Sequence, residues 1–197
     1  MPVFENRAEI DAYYLADPAH AQAAGIMWPA LIERRIDKLF ETALRPDNKV
    51  RAEVLGPGRA LGNYAVKVRL AYLVGWVEKD LYRDLLLVGK IRNRFAHFVD
   101  ATDFTDVLIS GWLKNMTAYQ TLPGMLDRCN ERVKVDPAAV NLAMSMILRE
   151  AIADGQSGFR LCVDLMMTQL AKSAEHMARN LAGLHETWMV NEVPSRG

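Results

Sequence analysis

Cysteine is scarce in this chain of 197 residues. Cys129 and Cys162 are far apart, they form no CxxC pair, and no histidine stands beside either at the spacing of metal ligands. A disulfide framework or a zinc site requires more ligands than these. We therefore expect neither a disulfide nor a metal site, and this cysteine content is typical of a protein in the reducing cytoplasm.

The chain also lacks an excess of charge of either sign, because 24 lysines and arginines balance 24 aspartates and glutamates. A protein that holds DNA or RNA through its phosphates alone usually carries a basic excess, since each neutralised phosphate needs a cation. We therefore expect no strong autonomous DNA binding. Any role with nucleic acid would depend on a local basic patch or on a partner protein.

Long apolar runs are missing as well. A helix that spans a membrane needs about 18 to 20 mostly apolar residues, and no uncharged run of this chain approaches that length. The N-terminal segment carries acidic side chains where a secretory signal begins with basic ones. We expect a soluble, cytoplasmic protein without a membrane segment.

Motifs of the common cofactor and nucleotide sites are absent from the sequence, including GxGxxG, Walker A and HExxH. The Gly-Gln-Ser-Gly sequence at 155–158 falls short of a nucleophile elbow. His20, His176 and His185 have no evident partner in the sequence, so surface or packing roles are expected for them. We predict no cofactor, no metal and no complete catalytic set.

What the chain does have is helical periodicity. Apolar residues make up 51% of it and recur at spacings of three and four, which is the pattern of amphipathic helices. We predict an all-α fold, a single-domain multi-helix bundle over residues 1–197 with a long C-terminal helix. The predicted helices are 8–24, 28–44, 50–55, one between Asn63 and Gly75, 78–98, short helices within 105–119, 136–154 and 158–190. A turn is expected at Leu122-Pro123-Gly124.

The last predicted helix carries the longest apolar seam. Its members are Val163, Met166, Leu170, Ala174, Met177, Leu181, Leu184 and Trp188. This spacing fits either a helix that faces the core or a coiled-coil-like surface for a partner. The core interpretation is favoured because globular helices commonly show this pattern, and a homodimer through this seam is the alternative.

Polar chemistry is concentrated in one segment, KIRNRFAH at 90–97. Ile91, Phe95 and the following Phe98 are predicted to face the core and to anchor the segment. On an ideal helix Arg92 and His97 are separated by about 140°, because each residue turns the helix by about 100°. These two side chains could meet only if the helix frays after Ala96 or if a second chain supplies one of them.

Two interpretations of this segment are open. In one it is an anion site, in which arginine binds a phosphate and histidine transfers a proton. In the other, Arg92 pairs with a buried carboxylate, Asn93 caps a neighbouring turn and His97 completes the helix end. The chemistry alone favours the structural interpretation, since ion pairs and caps outnumber catalytic sites.

Three sequence blocks together resemble a known family. They are LGNYAVKVRLAYLVG at 61–75, YRDL at 82–85 and KIRNRFAH at 90–97. They are similar to the mannitol operon repressor (MltR) family, whose pattern is approximately LGSFSAKIKLAYALGLI, then YxDL, then KIRNxFAH. The resemblance covers the central block 61–98. Asn63 stands where the family often has serine, and Trp76 replaces a smaller apolar residue.

The resemblance implies an all-helical repressor of a sugar-alcohol, mannitol-type operon. The family has no recognisable DNA-reading helix, so the resemblance implies repression through a protein partner in a transcription complex. The cations Lys67, Lys90, Arg92 and Arg94 are the expected contacts with an acidic partner. A homodimer is also possible.

A second resemblance rests on a short motif. Arg92-Asn93 followed by His97 fits the Rx4–6H motif of HEPN domains, helical proteins that include metal-independent ribonucleases. It implies that Arg92 holds the phosphate, His97 transfers a proton and Asn93 positions it, across a cleft between two chains. This HEPN-like ribonuclease is the enzyme alternative to the regulator.

Overall fold

The computed structural model describes residues 21–97, 103–136 and 139–190, with the backbone alone described for residues 139 and 180–190. Within these ranges the chain forms nine helices and no strand, which confirms the all-α prediction. The helices are α1 (Ala21–Ala43), α2 (Asn48–Leu55), α3 (Tyr64–Leu73), α4 (Lys79–His97), α5 (Val107–Lys114), α6 (Thr117–Gln120), α7 (Leu122–Val135), α8 (Ala139–Ala153) and α9 (Gly155–Val190). At 36 residues, α9 is the long C-terminal helix that the sequence predicts. Over the described ranges, no helix combines the length and the apolar character needed to cross a membrane.

The main core forms around α1, which packs against α3, α4 and α9. Ile32, Ile36, Leu39 and Phe40 of α1 are fully buried. Trp28 of the same helix lies with its ring centroid 6.0 Å from that of Phe159 on α9. The α9 seam is buried in the same core at Val163, Met166, Leu170 and Met177. The core interpretation of these four residues is therefore confirmed, while the side chains of Leu181, Leu184 and Trp188 lie outside the described ones.

The start of α1 differs from the prediction. Residues 8–20 of the predicted first helix lie outside the described residues, and residues 21–24 belong to α1, which continues through Pro29. The predicted boundary at residue 28 is therefore wrong. The alanine-rich segment before Trp28 favours a helix strongly enough to join the amphipathic segment after it.

Helix α4 is seated on α1 by an unusually close approach. The ring of Phe95 lies against Gly25, where an added Cβ would come within 2.0 Å of Cδ2 of that ring. Phe95 and Ile91 are fully buried, and the Phe95 carbonyl accepts a hydrogen bond from Nε2 of Gln22 at 3.0 Å. The apolar members of segment 90–97 thus fix this end of α4 in the core.

The region after α6 contains a helix that the sequence analysis missed. Leu122-Pro123-Gly124 forms the first turn of α7 and not the predicted turn of the chain. Proline fits there because the first amides of a helix have no partner within the helix. Helix α7 packs against α8, and the two share a small apolar cluster with α9 around Leu122, Leu148 and Ala151.

Candidate functional site

A cleft of about 420 Å³ lies where α1, α3 and α4 meet. Seven of its eleven lining residues are polar, and it collects residues from the 61–75 and 90–97 blocks of the sequence. The lining residues are Glu33, Gly62, Asn63, Tyr64, Ala65, Arg69, Leu86, Gly89, Lys90, Arg92 and Asn93. The cleft is the place where the polar parts of the two family-like blocks converge.

Tyr64 and its neighbours form the wall of the cleft at the start of α3. The Tyr64 hydroxyl donates a hydrogen bond to the carbonyl of Leu85 on α4 at 2.9 Å. The ring passes so close to α4 that a Cβ on Gly89 would lie 3.0 Å from its Cε1. Asn63 caps α3, since its Oδ1 accepts the amide of Ala65 at 2.9 Å. These contacts fix the spacing between α3 and α4 and therefore the width of the cleft.

The electrostatics of the cleft are dominated by cations. Arg69, Lys90 and Arg92 contribute positive charge, and Glu33 is the carboxylate among the lining residues. Nη1 of Arg92 lies 3.8 Å from Oε2 of Glu33, which is an ion-pair distance but too long for a direct hydrogen bond. Burial raises the pKa of Tyr64 above its usual range, Glu33 raises it further and Arg92 opposes the increase. Tyr64 is therefore a neutral hydrogen-bond donor in the wall of a positively charged cleft.

Two other predicted contact residues have carboxylate partners inside the fold. Lys67 is only 4% exposed, and its Nζ lies 2.5 Å from Oδ1 of Asp37 on α1. Nη2 of Arg94 lies 2.8 Å from Oδ2 of Asp106, and the same carboxylate caps α5. The Arg94 hydrogen bond is the main cause that holds the pKa of Asp106 below its usual range. Lys67 and Arg94 therefore join elements of the structure, whereas Lys90 and Arg92 reach the cleft.

The residues of the HEPN-like interpretation are not brought together within one chain. Helix α4 continues through His97, so the fraying after Ala96 that would let Arg92 and His97 converge is not present. Arg92 and Asn93 line the cleft, whereas His97 is exposed at the end of α4 and is not among the lining residues. A site that combines these residues would require a second chain.

Asp84 has a structural position that the sequence analysis did not assign. Its buried carboxylate accepts the amide of Thr117 at 2.7 Å and that of Ala118 at 2.8 Å, and it thereby caps α6 from another helix. The signal was available in the spacing, because Asp84 stands three residues after Leu81 and four before Val88, both buried on α4. Burial is the main cause that raises the pKa of Asp84.

Glu33, Asn63, Tyr64 and Arg69 also line the cleft, although the sequence analysis did not assign them to a site. No local motif marks them as a group, because Glu33 lies on α1 and the other three lie at the start of α3 or within it. Asn63 carried one usable signal, since asparagine before a helical run is a typical N-cap. Within the described ranges, no three histidines, cysteines or carboxylates stand together as metal ligands.

The fold and the cleft define an all-α protein with a positively charged site between its helices. Residues 22–171 match the mannitol repressor (MtlR) family, so the chain belongs to this family. No curated protein and no solved structure matches the chain. The matched range contains α1 from its second residue, α2 through α8, the first half of α9 and the whole cleft, and it confirms the resemblance found in the sequence. Membership supports a role in transcriptional repression.

Proposed function

We propose that the chain represses a sugar-alcohol operon by binding a protein partner in a transcription complex, without reading DNA bases itself. One observation carries this proposal, the apolar face that α8 presents to solvent. Five large apolar side chains of α8 are between 42% and 70% exposed, namely Val140, Leu142, Met144, Met146 and Ile147. We call these five residues the α8 face.

The α8 face is unusual for a helix at the surface. Among the described side chains of α8, the buried ones form a narrow stripe of Ser145, Leu148 and Ala151. A helix that is apolar on nearly all sides normally has most of its surface covered, and soluble proteins rarely expose contiguous apolar patches larger than a few hundred Å². The exposure of this face therefore favours a binding surface.

The chemistry of the α8 face selects a protein as its occupant. The sequence from 139 to 148 contains no charged residue, so it offers no cation to a nucleic-acid phosphate. Its two methionines can adapt to the shape of an apolar partner surface. We commit to a second protein, one that carries the DNA-reading element. A second copy of this chain is the competing occupant.

The test is repression of a reporter operon in cells that lack the chromosomal copy of this gene. We expect the Met146→Glu variant to lose repression, because a carboxylate on the α8 face would be buried in the interface. The matched control is Val107→Glu, since Val107 is 85% exposed on α5 and lies outside this face. Equal melting temperatures of the two variants would show that the fold is intact.

Two results would contradict the partner mechanism. One is tight, sequence-specific binding of operator DNA by the purified chain alone in a gel-shift experiment. The other is a stable homodimer in analytical ultracentrifugation that Met146→Glu converts to monomers, because the occupant of the face would then be a second copy.

The ribonuclease alternative is favoured by one observation, the accessible position of His97 at the end of α4. It requires Arg92 of one copy and His97 of another. We expect no cleavage of labelled RNA in the absence of divalent metal, because the site would need a second copy of this chain, whereas the proposed partner is a different protein. Cleavage that both Arg92→Ala and His97→Ala abolish would establish the enzyme in place of the regulator.

A further inference from the structure

We propose that the cleft between α3 and α4 binds a small phosphate monoester, with Arg69, Lys90 and Arg92 around the phosphate. These cations come from two different helices and line one cleft of about 420 Å³. Guanidinium groups bind phosphate oxygens in pairs, and a lysine ammonium adds a point charge. This arrangement suits a compact dianion.

The cations have unsatisfied capacity. Among the described residues, no carboxylate lies within ion-pair distance of Arg69 or Lys90. Arg92 has only the loose 3.8 Å contact with Glu33, and its side chain is 40% exposed. A phosphate that enters the cleft would therefore displace at most one weak contact, and the remaining charge of the lining favours it.

The other lining groups favour a ligand that carries hydroxyls besides its phosphate. Asn63 and Asn93 line the cleft. Because Oδ1 of Asn63 already caps α3, its Nδ2 is the group that can donate to a hydroxyl, whereas the amide of Asn93 can both donate and accept. The first turn of α3 also lies at the cleft and adds the positive end of a ten-residue helix dipole. The volume lies within the range of about 300 to 1,000 Å³ that is usual for small-molecule sites.

The phosphate group and the hexitol group of the proposed ligand rest on different arguments. Binding of a phosphate monoester follows from the cleft alone. The particular choice of a hexitol phosphate rests on the proposed function, because a repressor of a sugar-alcohol operon needs to sense a metabolite of that pathway. Such a ligand would act as an effector at a site separate from the α8 face.

The test is isothermal titration calorimetry on the purified full chain at low salt with three probes. They are a hexitol 1-phosphate, inorganic phosphate and the unphosphorylated hexitol. We expect the hexitol phosphate to bind more tightly than inorganic phosphate and the free hexitol not to bind. Because the titration contains no DNA and no partner protein, absence of ligand binding would not contradict the partner mechanism. Loss of the partner mechanism in the reporter test would likewise not contradict phosphate binding.

Variants that remove either a cation or the carboxylate of the cleft make the test specific. We expect Arg92→Gln and Arg69→Gln each to weaken phosphate binding about tenfold, since each removes a charged hydrogen-bond donor. Glu33→Gln is expected to strengthen binding severalfold, because it removes the competing carboxylate. A gain of affinity cannot result from misfolding. The matched control is Arg83→Gln, which removes an exposed arginine of α4 outside the cleft and should leave binding unchanged.

Three outcomes would overturn the proposal. The first is the absence of heat with both phosphate probes. The second is binding that Arg92→Gln and Glu33→Gln leave as tight as in the natural chain. The third is equal affinity of inorganic and hexitol phosphate, which would retain an anion site but exclude a monoester effector.

Discussion

The main core and the region of α7 and α8 differ in what they bury. Around α1, the core encloses large side chains such as Trp28, Phe40 and Phe95, each almost completely removed from water. Between α7, α8 and α9, the fully buried cluster among the described side chains consists of Leu122, Leu148 and Ala151, with partly buried residues packed around it. The first region uses its apolar residues for its own stability, whereas the second leaves most of those on α8 exposed.

This difference bears on function because burial sets local stability. Regions with few buried apolar contacts open at a lower free energy than the rest of a protein. A surface that must adapt to a partner is better placed in such a region, while the cleft between α3 and α4 needs the fixed geometry that the main core provides. We therefore expect the proposed partner surface to be less rigid than the proposed ligand site.

The largest expected effect comes from disturbing the contact between α1 and α4. Gly25→Ala would place a methyl group 2.0 Å from the Phe95 ring, so that the ring or the helix must move. We expect a loss of about 3 kcal/mol in the free energy of unfolding, at the upper end for overpacked cores. The loss can be measured by urea denaturation monitored through tryptophan fluorescence, since Trp28, Trp76 and Trp112 pack in or against the main core.

The control for this variant is Gly111→Ala on α5. An added Cβ at Gly111 would meet no atom within 4 Å, and alanine is favoured over glycine in a helix by up to about 1 kcal/mol. Substitution by alanine should therefore lower the free energy of unfolding at Gly25 and raise it at Gly111. A neutral Gly25→Ala variant would show that α4 is not tightly seated on α1.

The second prediction compares equivalent leucines in the two regions. Leu148 and Leu85 are both fully buried, one against α7 and one in the main core. We expect Leu→Ala at either site to cost about 2 to 3 kcal/mol of local stability, in the lower part of the range for buried leucines. In hydrogen exchange, Leu148→Ala should accelerate the amides of α7 and α8 alone, whereas Leu85→Ala should accelerate those of the main core as well. Uniform acceleration by Leu148→Ala would mean that the two regions unfold as one unit.

The third prediction concerns Asp84, a buried polar link between α4 and α6 in the main core. Asp84→Ala would leave the amides of Thr117 and Ala118 without their acceptor, and we expect a loss of about 2 kcal/mol. A melting temperature that does not change would show that water or another group satisfies these amides.

The pKa shifts of Asp84 and Asp106 predict opposite changes in the free energy of unfolding with pH. Burial raises the pKa of Asp84 above 3.8, so the folded state retains its proton over a range where the unfolded state has lost it. The stability from this linkage is therefore present at low pH and is lost as the pH rises through the raised pKa. Asp106 should behave in the opposite way, because its lowered pKa gives stability above 3.8 that is lost on acidification. Unfolding curves of Asp84→Ala and Asp106→Asn between pH 3 and 7 would separate the two.

The sequence predicted the main core better than the α7 and α8 region, and the reason is periodicity. Described apolar residues of α1, α4 and α9 that recur at spacings of three and four are largely buried, such as Val163, Met166 and Leu170 on α9. Helix α7 was missed because Pro123 and Gly124 look like a turn when no tertiary contact is considered. Lysine at 67 gave no sign that it would be buried, since its partner Asp37 is thirty residues away on another helix.

The site was predictable only in part, for a related physical reason. Lys90, Arg92 and Asn93 were recognised because three polar side chains of one segment flank buried anchors. Glu33 and Arg69 complete the cleft from other helices, and such convergence depends on how helices cross and not on local spacing. The separation of Arg92 from His97, in contrast, follows directly from helix geometry, and the continuous α4 confirms it.

The smallest expected effect is at Ser145, the buried polar link between α7 and α8. Its Oγ donates a hydrogen bond to Oδ1 of Asn130 at 2.8 Å, and Nη2 of Arg149 reaches the same oxygen at 3.4 Å. Because Arg149 can still serve that acceptor, we expect Ser145→Ala to cost at most about 1 kcal/mol. Hydrogen exchange in α7 and α8 should detect it, with Thr168→Ala as a control for loss of an exposed hydroxyl that bonds within its own helix. A loss as large as that of Asp84→Ala would contradict the contrast between the two regions. The α7 and α8 region would then depend on the Ser145 hydrogen bond as much as the main core depends on Asp84.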